Sequence, residues 1–216
     1  MNAQWRLFLA AFGLVDGAES APHEASRFVP LVGVCLGLLA ATVYWVASQI
    51  WPTNVAVVLA MLTITLPTVA RGAARPNLSA LYWMFVLFIK YNALMPLSAA
   101  NVPLPLPAYC ALGLIMVAAQ AASRALVVSV MATDLPSVLR VTTVDLVIAL
   151  GLGLAPAALL GIPGLIGLVA AIVMRLGLTG YVLPRLRVAP RERLEIVQQL
   201  SELCFYLGAL ASWKYV

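Results

Sequence analysis

The chain alternates between long apolar runs and short connectors rich in proline and asparagine. A helix of about 20 apolar residues crosses the hydrocarbon core of a bilayer, so runs of this length predict transmembrane helices. Proline marks the helix edges in the connectors, because it lacks an amide donor and restricts its predecessor. The seven predicted spans are 29–50, 54–71, 78–97, 106–131, 143–160, 162–183 and 194–213.

Two further features of the pattern refine the fold. The runs are apolar throughout and lack the strict alternation of barrel strands, which favours helices. Residues 1–15 form an apolar stretch that is too short to span, which predicts a short interfacial helix. The prediction is therefore an all-α, polytopic membrane bundle of about seven transmembrane helices plus that N-terminal helix, in one domain of residues 1–216.

The composition supports a membrane protein. Hydrophobic residues make up 63% of the chain and charged residues 10%, with a mean hydropathy of +1.01. A soluble domain carries about 25% charged residues and cannot bury this much apolar surface. These values exclude an ordinary soluble globule, a disordered chain and a secreted disulfide scaffold. The three cysteines are isolated within apolar runs, which indicates neither a zinc site nor a disulfide framework.

The basic residues are distributed unevenly between the two predicted sides of the membrane. Nine arginines fall on the side of the N-terminus, namely Arg6, Arg27, Arg71, Arg75, Arg140, Arg185, Arg187, Arg191 and Arg193, against Lys214 on the other. By the positive-inside rule this predicts a cytoplasmic N-terminus and an outside C-terminus, in the inner membrane of a bacterium. The same rule explains the net charge of +5 without a nucleic-acid partner.

Four charged residues lie inside predicted spans: Lys90, Arg124, Arg175 and Glu202. Charge at bilayer depth is costly and is often functional. One hypothesis is an anion-binding cavity that opens to the cytoplasm, with Arg124 and Arg175 as phosphate ligands. The other is structural: the arginines reach the interface and Glu202 pairs with one of them. Ser123 adds an intramembrane hydroxyl, and the connector residues Arg71 and Arg75 are further anion-binding candidates.

Metal-binding residues are sparse. The eight acidic residues include no two closer than three positions. Glu192 and Glu195 share a helix face and are weak candidates for a metal, although a solvated, charge-paired helix start explains them as well. No P-loop, GxSxG, HExxH or Rossmann motif occurs in the sequence.

The order of these features resembles the cobalamin synthase family, the adenosylcobinamide-GDP ribazoletransferases. The segment Arg27–Gly37 (RFVPLVGVCLG) is similar to the family pattern R-x-x-P-L-V-G-x-x-x-G, and FVLFIK ending at Lys90 is similar to an apolar family segment ending in lysine. Ser123-Arg124 resembles a Ser-Arg pair in a family helix. The segment Gln199–Leu203 resembles a closing E-L-x-E-L. The resemblance runs weakly over nearly the whole chain.

The sequence also departs from that family. The family's H-x-D-G-L-A-D-x-x-D-G motif, taken to bind Mg²⁺, should follow the second long helix, but the segment 67–77 reads PTVARGAARPN. The family's G-T-H-G reads NLSA at 77–80, and its G-D-x-x-G-A reads RERLEI at 191–196. The resemblance implies Mg²⁺ as cofactor, and the missing acids imply a divergent member.

Three functions follow as hypotheses. The resemblance implies transfer of adenosylcobinamide phosphate from its GDP-activated form to α-ribazole or its phosphate, in cobamide assembly. The missing acids favour a catalytically degenerate relative that serves as a membrane scaffold or binding subunit. A small transporter, with the four intramembrane charges along its pathway, ranks third. Expected partners are the bilayer, corrinoid and nucleotide substrates, and a homo-oligomer or hetero-complex with other membrane proteins.

Overall fold

The computed structural model describes residues 3–15, 23–72, 80–99, 108–134, 141–185 and 189–213. These ranges form eight α-helices, without a strand among them. The helices are α1 (Ala3–Val15), α2 (Val29–Ile50), α3 (Thr53–Gly72), α4 (Ala80–Ala99), α5 (Ala108–Asp134), α6 (Thr143–Leu159), α7 (Ile162–Gly177) and α8 (Pro190–Trp213). A 3₁₀ turn (His23–Phe28) precedes α2, and a π turn (Leu178–Val182) follows α7.

Four helical segments are long and apolar enough to cross a membrane. They are Ala25–Ile50, Leu81–Ser98, Cys110–Asp134 and Ile162–Val182, and two shorter apolar helices cover Thr53–Thr65 and Thr143–Leu159. The predicted all-α membrane protein is therefore confirmed. Each of the seven predicted runs coincides with one of the helices α2 to α8 to within a few residues, but crossing by all seven stays a prediction.

Helix α5 is the axis of the bundle. Of its apolar stretch 89% is buried, against 39% or less in the other three long segments. Small side chains let α5 occupy this central position. Its fully buried alanines are Ala118, Ala119, Ala121, Ala122 and Ala125. Small side chains let neighbouring backbones approach closely, which drives helix packing in a membrane where apolar burial contributes little.

Glycines on α2 set its contact with α5. A Cβ atom at Gly33 would lie 2.4 Å from the Gln120 carbonyl oxygen, and one at Gly37 would lie 2.5 Å from the Cα atom of Val117. Rising numbers on α2 thus meet falling numbers on α5, so the two helices run antiparallel. The two glycines thus permit the close packing of α2 on α5.

Helices α6, α7 and α8 complete the bundle through two antiparallel contacts. Gly161, at φ +66°, forms the tight turn between α6 and α7, a conformation that glycine adopts without a steric cost. Gly167 of α7 lies against the Phe205 carbonyl of α8, while Leu178 and Val197 share an apolar cluster nearer the other end. These contacts place the end of α7 beside the start of α8.

One end of the bundle collects arginine side chains, and we call it the arginine end. It comprises the start of α2, the ends of α5 and α7 with the π turn, and the start of α8. The described arginines there are Arg27, Arg175, Arg185 and Arg193. Because α2 and α7 both run antiparallel to their contacting partners, helix starts and helix ends alternate around this surface.

Helix α8 is polar on the inside. Its residues Gln198, Gln199, Ser201 and Glu202 are all buried within the bundle. These polar groups lower its hydropathy, which is why α8 is absent from the four long apolar segments. The helix thus faces its polar groups towards α4 and α5.

The α2–α5 contact gives a stability prediction. We expect Gly37→Ala to lower the free energy of unfolding by about 1–3 kcal/mol, because the added methyl group forces the two backbones apart. Gly151→Ala on α6 is the matched control, since a Cβ there meets nothing within 4 Å. Unfolding in mixed micelles measures both, and equal stability of the two variants would contradict the close contact.

Candidate functional site

Six polar side chains meet in the middle of the bundle, where α4, α5 and α8 pack together. We call them the central polar cluster: Lys90, Gln120, Arg124, Gln199, Glu202 and Tyr206. None is more than 2% exposed. Buried polar groups must find partners among themselves, because no solvent reaches them. The cluster is the largest concentration of buried polar chemistry in the described part of the chain.

The cluster is organised around an ion pair between α4 and α8. The Lys90 Nζ atom lies 2.9 Å from Glu202 Oε2. The ammonium also donates a hydrogen bond of 2.6 Å to Gln199 Oε1, and the Tyr206 hydroxyl donates one of 3.1 Å to Glu202 Oε1. Both oxygens of the carboxylate are thus engaged. The structural hypothesis paired Glu202 with an arginine, and the structure pairs it with Lys90 instead.

Arg124 joins the cluster from α5. Its guanidinium donates to the Gln120 side-chain oxygen and, at 3.2 Å, to the Gln120 backbone oxygen. Tyr206 lies close to the Gln120 side chain and to Arg124, which places Arg124 beside the Lys90–Glu202 pair. Arg124 lies ten residues before the end of α5, buried within the bundle.

Ser123 plays a local part. Its hydroxyl donates to the backbone oxygen of Gln120 at 3.3 Å. This bond to the preceding turn is the usual way in which a helical serine satisfies its hydroxyl.

Arg175 lies outside the central polar cluster. Its guanidinium donates to Thr133 Oγ1 at 2.8 Å and to the Ser129 carbonyl at 3.4 Å, which ties α7 to the last turns of α5. Arg124 instead bonds to position 120 of the same helix. The Arg175 contact nearest to position 120 is at position 129, which is nine residues away and about 13 Å along the axis of α5. The structure therefore does not bring Arg124 and Arg175 together around one phosphate.

Two of the predicted anion-binding residues cannot be placed. The side chain of Arg71 and the whole of Arg75 lie outside the described residues. Their part in an anion site stays a prediction.

The acidic residues are dispersed. Glu192 and Glu195 are half-buried at the start of α8, and Glu202 lies seven residues further, about 10 Å along the helix. Asp145 forms a capping interaction at the start of α6, accepting from the Thr142 hydroxyl at 2.6 Å. Within the described ranges no three His, Cys, Asp or Glu side chains form a group that could hold a metal ion. These residues do not fit the Mg²⁺ site that the family implies.

Sequence reasoning missed Gln120, Gln199 and Tyr206 as members of the cluster. Their spacing offered a signal: positions 199, 202 and 206 share one face of a helix, and positions 120 and 124 share another. The residues are uncharged, so they carry no large penalty at bilayer depth and did not stand out individually.

The comparisons with known proteins point to one family. The family profile of cobalamin-5-phosphate synthase matches residues 8–71. An adenosylcobinamide-GDP ribazoletransferase of Leptothrix cholodnii is 51% identical over 39 residues, which are 18% of this chain and 15% of that protein. Its counterpart in Shewanella amazonensis is 43% identical over 54 residues, which are 25% of this chain and 21% of that protein. No solved structure matches the chain.

The matches are short, and the profile match lies in the first third of the chain. The matched segments cover 15% and 21% of the two relatives' own length. The profile match covers α1 from Phe8 onwards, all of α2 and nearly all of α3, and it includes the segment Arg27–Gly37 that carries the clearest motif. The central polar cluster begins only at Lys90, beyond the matched residues. The profile match and these relatives support a relationship between this part of the chain and the cobalamin synthase family.

Proposed function

We propose that this protein acts in the nucleotide-loop assembly of cobamides as a membrane subunit that binds corrinoid or nucleotide substrates. In this proposal it does not itself catalyse a metal-dependent transfer. The similarity of residues 8–71 to the cobalamin synthase family supports the pathway. The observation that carries the non-catalytic role is the engagement of the deep carboxylate, Glu202, by Lys90 and Tyr206.

The chemistry of the family reaction explains why this observation matters. The named relatives act on a GDP-activated substrate, so the bond that breaks lies in a pyrophosphate. Negative charge develops there during the reaction, and a metal ion held on carboxylates usually neutralises it. Here Glu202 neutralises a lysine and Asp145 caps a helix. The carboxylates are thus used to hold the bundle together.

The active transferase is the second candidate, and the family match favours it. In that case adenosylcobinamide phosphate would pass from its GDP-activated form to α-ribazole or its phosphate. Glu192 and Glu195 would be the metal ligands, because they lie one turn apart at the arginine end. The transport hypothesis gains no support, since Arg175 bonds at a different level of α5 from the other three charges.

We also propose seven spans with a cytoplasmic N-terminus, in the inner membrane of a bacterium. The arginine end supports this orientation, because it brings Arg27, Arg175, Arg185 and Arg193 to one side. Cytoplasmic loops carry such an excess of basic residues.

A transferase assay on the purified protein in lipid tests the proposed function. The mixture contains adenosylcobinamide-GDP, α-ribazole phosphate and Mg²⁺. The transferase of Shewanella amazonensis, assayed in parallel, serves as the reference enzyme. We expect retained binding of the corrinoid substrate without turnover, because the described carboxylates are engaged elsewhere or lie apart.

Two controls separate the candidates. EDTA removes the metal, and Glu192→Gln with Glu195→Gln removes the only adjacent carboxylates in the described part of α8. Turnover that both controls abolish would establish the transferase and contradict the binding role. Failure of both turnover and corrinoid binding, with an active reference enzyme, would reject the cobamide assignment.

A structural role for the ion pair has its own signature. Lys90→Met or Glu202→Gln alone should cost about 3–5 kcal/mol of unfolding free energy, because each leaves a buried charge without its counter-charge. The double variant should lose less than the sum of the two. Glu195→Gln, a half-buried carboxylate on the same helix, should change stability by about 1 kcal/mol or less. If unfolding in mixed micelles shows that the double variant loses the full sum of the two single losses of free energy, the two charges are not coupled.

Reporter fusions test the topology. A tag at the N-terminus should report the cytoplasm and one after Val216 the outside, as an odd number of spans requires. Detection of both tags on the same side would disprove seven crossings.

A further inference from the structure

A second site lies away from the central polar cluster, at the arginine end. It is a cavity of about 270 Å³ between the end of α5, the π turn and the start of α8. Its lining residues are Val130, Asp134, Thr179, Leu183, Pro184 and Arg193. Neither the family match nor the proposed function involves it, because residues 8–71 contribute nothing to its walls.

The backbone around the cavity departs from regular helix. The Leu183 amide donates to the Leu178 carbonyl at 2.8 Å, a bond that spans five residues and defines the π turn. The Thr179 hydroxyl donates to the Arg175 carbonyl at 3.0 Å, and Arg175 in turn holds Thr133 of α5. Single π turns within helices occur frequently at functional sites. The cavity wall is therefore braced against α5.

The lining offers a specific set of polar groups. Arg193 presents a guanidinium, which suits phosphate oxygens through its planar fork of donors. Thr179 adds a hydroxyl, whose hydrogen can rotate from the Arg175 carbonyl to a ligand oxygen, and Asp134 adds a carboxylate. The carboxylate repels a bare phosphate dianion and attracts an ammonium group. A ligand that carries both a phosphodiester and an ammonium therefore fits this set better than a simple anion.

The surface beside the cavity indicates the source of such a ligand. Leu165, Val169, Val173 and Leu176 form one exposed apolar strip along α7, each more than half exposed, which ends three residues before Thr179. Tyr181 follows at 69% exposure, and Arg185 bonds its carbonyl at 2.6 Å. Exposed aromatic and basic residues at the end of an apolar strip are typical of the membrane–water interface.

We propose that this cavity binds the headgroup of a zwitterionic glycerophospholipid with a primary ammonium. The phosphodiester lies against Arg193 and Thr179, the ammonium lies against Asp134, and an acyl chain follows the apolar strip of α7. The site is one for a resident lipid and is independent of the substrate-binding role proposed above.

Native mass spectrometry of the full chain, titrated with phosphatidylethanolamine or phosphatidylglycerol in detergent, tests the proposal. We expect phosphatidylethanolamine to bind about tenfold more tightly, since only its headgroup supplies a positively charged donor to Asp134. Arg193→Gln should weaken its binding about tenfold, and Asp134→Asn should remove the preference between the two lipids. Arg185→Gln is the matched control, because that arginine lies near the cavity without lining it.

Two further arms keep the test decisive. Thr179→Val preserves volume and should weaken phosphatidylethanolamine binding with unchanged thermal unfolding, which covers the case in which Arg193→Gln fails to fold. Inorganic phosphate at millimolar concentration should not displace the lipid. Two outcomes would overturn the lipid assignment outright: equal binding of the two lipids, and parent-like binding by Asp134→Asn and Thr179→Val. Displacement by phosphate would also overturn it, in favour of a soluble phosphate ligand.

Discussion

The Lys90–Glu202 ion pair constrains the rest of the bundle. A charge held in the middle of a bilayer is tolerated when it meets an opposite charge and its remaining hydrogen-bonding groups find partners. Since Lys90 is on α4 and Glu202 is on α8, the two helices must align where these residues meet. Gln199 and Tyr206 then add one hydrogen bond to each member of the pair. The register of α4 against α8 follows from this requirement.

Helix α5 accommodates the polar centre because it has two different faces. On one face the Gln120 backbone lies directly against Gly33 of α2, a contact that leaves no room for a side chain. The Gln120 side chain points elsewhere and bonds Arg124. Close backbone packing and side-chain polarity thus occur at the same level of one helix. The bundle consequently holds a polar centre within an apolar core, and it is also apolar on much of its surface, for example along α7.

The sequence predicts the helices well because hydrophobic run length is a direct consequence of bilayer thickness. It predicts the partners of the buried charges poorly. Lys90, Arg124, Arg175 and Glu202 were each recognised as intramembrane charges, but helix periodicity gives the face of a residue and not the neighbour that it meets. Glu202 pairs with Lys90, 112 positions earlier in the chain, and Arg175 bonds α5 near its end. These pairings depend on helix order, which hydropathy does not contain.

The matched segment and the polar centre are physically separable, which bears on how this chain relates to its family. The family match covers part of α1, all of α2 and nearly all of α3, and α2 contacts α5 through glycines and the α5 backbone. Side chains of the central polar cluster extend from α4, α5 and α8. A backbone contact is insensitive to the chemistry of the side chains on the opposite face. The packing of α2 on α5 is therefore compatible with different chemistry at the polar centre, and similarity to the family over residues 8–71 bears on the scaffold more directly than on the reaction.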